Sequence, residues 1–368
     1  MKIRVFKNDF LKQLSKNIVC CGKNKSLPIF SNVFCNIQGN VMELKSSNSA
    51  IEITTKIQIE NDSDESIQFC FQPNKLHALI QSIDCEVLDF KIEGNSLKLT
   101  YGRNKSTYST MSVDDFPILK PQGEKIEVNI DEKFFQEIFV AKDFAEDKPI
   151  RPALGSVLID FKESTLNFVG TDAHVLYKQS ITIENDKDRQ VLLGKENIAC
   201  LKSIFNPSDI QTMSVYDNCV SFETEDCYCV LLTNNAQYPK WQQIIPNDKS
   251  QYIQLEVKEL VCSLNRLRTI TPLNDTIVVE ISNENITLSA SNEEENIKET
   301  MEFVKQNGET IRIGLNLKYL IQALNTLETR YCNLYYTEPN RAIVITEDDN
   351  MSENKERLCL VMPMILND

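Results

Sequence analysis

Apolar and polar positions along this chain follow two periods in turn, and the order in which the periods succeed one another repeats. Lys2-Ile3-Arg4-Val5 alternates as a half-buried strand does, and Phe10, Leu11, Leu14 and Ile18 then recur at helical spacing. The succession returns at Lys125-Ile126-Glu127-Val128 with Phe134, Phe135, Ile138 and Phe139, and again at Tyr252-Ile253-Gln254-Leu255 with Leu260, Val261, Leu264 and Leu267. These starts lie 123 and 127 residues apart. Asp131 is placed to cap the second of the three helices.

Alternating strands around polar turns follow each helix, from Val33 to Ile53, Val157 to Ile183 and Ile277 to Phe303. A second helix then comes in every copy. Its apolar positions begin at Leu76, Ile198 and Leu320, separated by 122 residues each time. Another hairpin closes the copy, such as Leu88 to Ile92, the turn Glu93-Gly94-Asn95, and Leu97 to Tyr101. The pattern predicts helices at about residues 8–25, 73–83, 131–143, 195–206, 257–268 and 316–330. The unit is β-α-β-β-β, used twice per copy and six times per chain, which makes an α+β fold. Turn formers cluster at Pro121-Gln122-Gly123 and Asn247-Asp248-Lys249-Ser250, and the expected domains are therefore 1–121, 122–249 and 250–368.

Composition narrows the class of protein. The 368 residues, 42% hydrophobic and 25% charged, suit a globular chain of two or three domains. Without an apolar run of about 18 residues or a signal-like N-terminus, a cytoplasmic location with no membrane partner is expected. The 12 cysteines are scattered singly and read as small core residues; Cys20-Cys21 and Cys227-x-Cys229 lack metal or redox spacing, and His77 and His174 are the only imidazoles. Neither a metal nor a cofactor is expected, and no glycine-rich phosphate loop is found.

A net charge of −14 argues against nucleic acid unless the charge is unevenly spread. It is uneven, for the six helical segments carry 14 basic and 8 acidic residues. Helices grouped on a surface that faces an anion would account for this, with phosphate contact but no base readout; Lys and Arg as good formers of solvated helices is the other reading. Gly102 to Tyr108 is basic and Ser291 to Asn296 acidic, a complementarity that favours head-to-tail association.

The central stretch Val169 to Tyr177 contains the pair Asp172 and His174, which invites a hydrolase reading. A Gly-Thr-Asp turn between two strands competes with it, because no nucleophile, third partner or metal ligand is adjacent. Thr171-Asp172-Ala173 falls opposite Ser47-Asn48-Ser49 and Ser291-Asn292-Glu293 in the repeat, so the turn recurs in all three copies. His174-Val175-Leu176 belongs to the middle copy alone.

Several motifs in order then resemble the bacterial DNA polymerase III beta subunit family, the beta sliding clamps. They are Ser26-Leu27-Pro28-Ile29, Asp114-Asp115-Phe116-Pro117, Gly170-Thr171-Asp172-Ala173-His174, Tyr238-Pro239 with Ile245-Pro246, and Val361-Met362-Pro363-Met364. The resemblance implies a non-catalytic homodimeric ring of clamp domains, with helices lining the inside and sheets outside, around duplex DNA. The implied partners are the DNA polymerase III catalytic subunit, a clamp loader, and repair polymerases and mismatch-repair proteins. Lys23, Lys25, Arg151, Lys195 and Lys202 would attract phosphate.

The family's peptide pocket would comprise Leu154, Thr171, Ala173, His174, Val175, Leu176, Pro239, Gln243, Ile244, Val361, Met362, Pro363 and Met364. For Met362 and Met364, core packing in a last strand is the competing reading. Ala173 stands where the family has Gly, Val175 where it has Arg, and Ile365 where a basic residue is common, so the rim has lost charge. At the subunit contact Arg103, Lys105 and Tyr108 would face Thr269, Ile270, Glu293, Glu294 and Glu295. A monomeric three-domain scaffold is the remaining alternative.

Overall fold

The structure, a computed structural model, describes residues 1–22, 27–63, 65–183, 188–272, 275–348 and 357–366. Lys23 and Lys25 lie outside them. The observed helices are α1 (Lys7–Cys20), α2 (Pro73–Ser82), α3 (Glu132–Phe144), α4 (Lys195–Ile204), α5 (Val257–Leu267) and α6 (Leu317–Leu324). Strand, helix and three strands follow one another six times, as the periodicity predicts. Asp131 caps α3, its carboxylate accepting from the Phe134 N–H at 3.2 Å.

Two helices stop five or more residues short of their predicted ends. In α6 the run expected to reach residue 330 ends at Leu324, where the Asn325 N–H is bonded to the carbonyls of Ala323 and Ile321. The apolar spacing continues through Leu327, but turn hydrogen bonds replace the helical ones there, as in the Leu327 N–H to Leu324 carbonyl contact. α1 likewise ends at Cys20.

The chain packs into two compact units, Met1–Phe135 with Glu196–Thr233, and Gln136–Lys195 with Asn234–Asp368. In the first, a 13-stranded antiparallel sheet runs from the first copy into the second, for strand Cys227–Leu232 pairs with Ile51–Gln58 and sets Cys229 opposite Ile53. Its core gathers Phe10, Leu14, Leu44, Leu76 and Phe90, the positions at which the helical and strand periods meet. The Asp226 carboxylate, in the turn before Cys227–Leu232, accepts from Gln13 and lies 3.7 Å from both Lys12 and Lys16 of α1.

The second unit holds a nine-stranded and a five-stranded sheet. In the nine-stranded one, Val175–Thr182 of the middle copy pairs with Leu358–Val361 of the last, Val175 opposite Val361 and Leu176 opposite Leu360. Strands Ser156–Lys162 and Thr165–Thr171 are buried on both faces, so their sequences lose the clean alternation seen in Val87–Glu93. After Val361 the chain crosses to the edge of the five-stranded sheet, where Met364 pairs with Gly314. A Cβ on Gly314 would lie 2.6 Å from the Met364 carbonyl oxygen, which explains glycine there.

Beneath α3, Arg357 forms a buried ionic cluster. Its guanidinium donates to Glu137 at 2.9 Å, Glu328 at 2.9 Å, Glu347 at 3.3 Å and the Thr326 carbonyl at 2.6 Å. Tyr177 donates to the other oxygen of Glu137. Burial alone would favour loss of the Arg357 proton, but the facing Tyr177 and Glu137 outweigh it and raise the pKa further. Burial foremost, then the charge of Glu137, pushes the Tyr177 hydroxyl up.

Candidate functional site

The three turns predicted to correspond share one hydrogen-bond pattern. The Asp172 carboxylate accepts from the N–H groups of His174 and Val175 at 2.9 and 3.0 Å. Asn48 does the same for Ala50 and Ile51 at 3.0 and 2.9 Å, and Asn292 for Glu294 and Glu295 at 2.9 and 2.8 Å. A short polar side chain that bonds the backbone two and three residues on closes the turn in each copy. Ser49 and Ala173 take positive φ, 77° and 76°, whereas Glu293 at the equivalent place in the third turn does not.

In the middle copy the turn carries more. Thr171 donates to the Val175 carbonyl at 2.7 Å and accepts from the Ala173 N–H at 3.1 Å, so its hydroxyl is committed to the turn. The His174 ring is exposed and stacks on Tyr319 of α6, with ring centres 6.1 Å apart and planes within 6°. Its Nδ1 stands 4.0 Å from Asp172. The Tyr319 hydroxyl faces the Asp172 carboxylate; burial first, and this contact second, raises its pKa. Asp172 is thus occupied by backbone N–H groups and a phenol, an arrangement that orients the loop rather than activating a nucleophile.

The terminal segment meets this turn directly. The Met362 N–H donates to the His174 carbonyl at 2.8 Å, continuing the pairing of Val175 with Val361 by one step. Val361 is buried, whereas Met362 and Met364 each keep 37% of their surface exposed. Core packing therefore does not describe these two methionines. Pro363 is half-buried and pairs with Leu315.

Below the turn, Leu176, Val169, Tyr238, Trp241, Val344 and Leu360 form one apolar cluster. Ala153 joins it beside buried Leu154, whose N–H and carbonyl are bonded to the Arg151 carbonyl and the Glu146 N–H. Trp241 anchors the short helix Trp241–Ile244, which leaves Gln243 and Ile244 exposed; Pro239 is exposed beside buried Tyr238. The sequence reading named neither Tyr319 nor Asn316, which caps α6 by accepting from the Lys318 and Tyr319 N–H groups at 3.0 and 3.3 Å. An asparagine just before a helical apolar run is the signal that marks such a cap.

The residues assigned to DNA lie in different settings. Arg151 and Lys202 are exposed. Lys195 is held by the Ala145 carbonyl and by Asp147, both at 2.7 Å. At the expected subunit contact, Arg103, Lys105, Thr269, Glu293, Glu294 and Glu295 are exposed and Tyr108 and Ile270 half-buried. Asn292 donates to the Ile270 carbonyl at 3.1 Å, which brings the acidic turn beside Ile270.

Among the described residues no cluster of three or more His, Cys, Asp or Glu side chains could hold a metal ion, and no helix is long and apolar enough to cross a membrane. The cysteines are free thiols, and burial pushes Cys332 up to about 12.

Residues 1–120 match the N-terminal domain of the DNA polymerase III beta subunit family, and residues 242–364 match its C-terminal domain. The chain belongs to the beta sliding clamp family. It is 25% identical to the beta sliding clamp of Streptococcus pneumoniae serotype 4 over 98% of each chain, and 21% identical to that of Pseudomonas putida KT2440 over the full length of both. The crystal structure of the Streptococcus pneumoniae DNA polymerase III beta chain superposes with a TM-score of 0.91 at 22% identity, covering 99% of this chain and all of the other. The Pseudomonas aeruginosa clamp bound to griselimycin superposes with a TM-score of 0.89 at 21% identity over the full length of both. Membership makes the protein a processivity factor of DNA replication.

Proposed function

We propose that this clamp acts without catalysis, as a cytoplasmic homodimeric ring of three domains per chain, 1–121, 122–249 and 250–368. It holds duplex DNA topologically and captures the tails of partner proteins in an apolar groove at the His174 turn. The DNA polymerase III catalytic subunit, the clamp loader and repair proteins are the partners this reading assigns. The observation that carries it is the seam between Val175–Thr182 and Leu358–Val361, which sets exposed Met362 and Met364 beside exposed His174 above an apolar cluster. Methionines at such a surface adapt to varied apolar anchors.

Ring closure by head-to-tail pairing is supported by two sheet edges. Strand Asn104–Met111 pairs along its length with Ser96–Tyr101, but on its other side only Thr110 and Met111 are paired. Strand Asn296–Met301 is an outer strand of the five-stranded sheet. The first carries Lys105 beside Arg103, and the second follows Glu293 to Glu295. A synthetic peptide ending in Leu-Phe tests the groove. It should bind the wild-type chain and lose at least about tenfold in affinity to Met364→Glu, a penalty of the size expected when a charge enters an apolar contact.

A further inference from the structure

Cys20, Cys200, Cys227 and Cys229 are scattered in the sequence but meet in the first compact unit. α1 lies on strand Ile51–Gln58, where Asn17 donates to the Thr55 hydroxyl at 2.7 Å, so the Thr55 side chain points at the helix. In the neighbouring strand Cys227 stands opposite Thr55 and Cys229 opposite Ile53. Cross-strand partners project to the same face of a sheet, which sets both thiols beneath α1. Cys20 follows Asn17 by three residues on the same buried side of the helix. α4 brings in Cys200, whose sulfur lies 4.0 Å from the Val19 carbonyl and donates to the Glu196 carbonyl at 3.3 Å. Of the four thiols, Cys200 alone is partly exposed. Burial first, and Cys200 next, raises the Cys20 pKa; burial and then Cys20, Cys227 and Cys200 raise that of Cys229. Charge acts in this way between near neighbours. Cys21, adjacent in sequence, is directed at the Asn32 carbonyl, 4.0 Å away.

We infer that Cys200 and Cys20 form an oxidation site, a dithiol that a hydroperoxide converts into a disulfide joining α4 to α1. Cys200, the accessible partner, reacts first. Its sulfur attacks one peroxide oxygen, the O–O bond breaks, and the thiol proton leaves on the other oxygen as water, so that Cys200 becomes a sulfenic acid. The Cys20 sulfur then attacks the Cys200 sulfur. The S–S bond forms as the S–O bond breaks, and the departing hydroxide takes the Cys20 proton as a second water. The two thiols together lose two electrons and the peroxide gains them. Burial penalises a thiolate but not an uncharged disulfide, so the site makes the second step slow while leaving its product well accommodated. The bond would tie residues 180 positions apart and staple the first copy to the second, which constrains the unfolded chain and raises stability.

The full chain is reduced, treated with hydrogen peroxide in its folded state, blocked with N-ethylmaleimide in denaturant, and digested with trypsin without reductant. Mass spectrometry should find the peptides 17–23 and 196–202 joined, two hydrogens lighter than the separate thiol peptides, and dithiothreitol should release them. The oxidised chain should melt about 4–8 °C above the reduced one, and dithiothreitol should reverse the rise. Cys200→Ser should show neither the joined peptides nor the rise, with its reduced melting temperature within about 2 °C of wild type. Cys20→Ala should retain a sulfenic acid on Cys200 that dimedone labels, and Cys21→Ser should still form the bond. Three results would overturn the assignment: peptides that stay separate in the oxidised wild-type chain, joined peptides that persist in Cys20→Ala, or a bond from Cys200 to Cys227.

Discussion

The Met362 N–H is bonded to the His174 carbonyl at 2.8 Å, joining residues 188 positions apart in sequence. This contact extends the strand pairing of Val175 with Val361 and decides which side chains emerge together. His174 contributes to it through its backbone, while its exposed ring stacks on Tyr319. His174→Ala should therefore lower affinity for a Leu-Phe peptide while keeping the melting temperature within about 2 °C, since the ring is 64% exposed. Equal losses of binding and stability would show that the ring is a packing element instead.

Asp172 should behave in the opposite way. Replacing it with Ala removes the acceptor for two backbone N–H groups and should cost about 1–3 kcal/mol in urea unfolding, with Asp172→Asn recovering most of it. Asn48 and Asn292 already perform the same task in their copies, which is why the amide is the informative replacement. A hydrolytic turnover lost in Asp172→Asn would support the enzyme reading.

Much of this was legible in the sequence because the repeat is carried by local rules. Apolar periods placed all six helices, and the Asp172, Asn48 and Asn292 correspondence followed from register alone. Contacts between distant segments were not legible. Nothing near Arg357 in sequence indicates that Glu137, 220 residues away, faces it, and the helical spacing through Leu327 gave no sign that α6 ends at Leu324. Tyr319 escaped the site reading because a tyrosine beside the apolar positions of an amphipathic helix looks like core; only the fold sets it against His174.

Arg357 provides a sharp test of that distant packing. Arg357→Met removes the guanidinium that bridges buried Glu137 and Glu347 and should destabilise the chain by about 3–5 kcal/mol in urea unfolding. Glu328→Gln removes an exposed partner of the same guanidinium and should cost less than about 1 kcal/mol. Similar effects for the two changes would contradict the cluster's description.

Asp226 predicts an acid limb. Burial would raise its pKa, but the hydrogen bond from Gln13 and the charge of Lys16 more than offset that and hold it below the ordinary carboxylate value. A carboxylate depressed in the folded state contributes stability above its unfolded pKa of about 3.9, and this is lost as pH falls through the lower folded value. Asp226→Asn should therefore be less stable than wild type at pH 6, and the gap should narrow below about pH 4. A gap that widens on acidification would reverse the sign.

Topological retention is tested on circular DNA. The clamp is loaded onto a nicked circular plasmid, separated from free protein, and measured again after the circle is cut to a linear form. The protein should stay on the circle at moderate salt and leave the linear DNA from its ends, because phosphate attraction alone is weak on a chain of net charge −14. Equal retention on circular and linear DNA would contradict it.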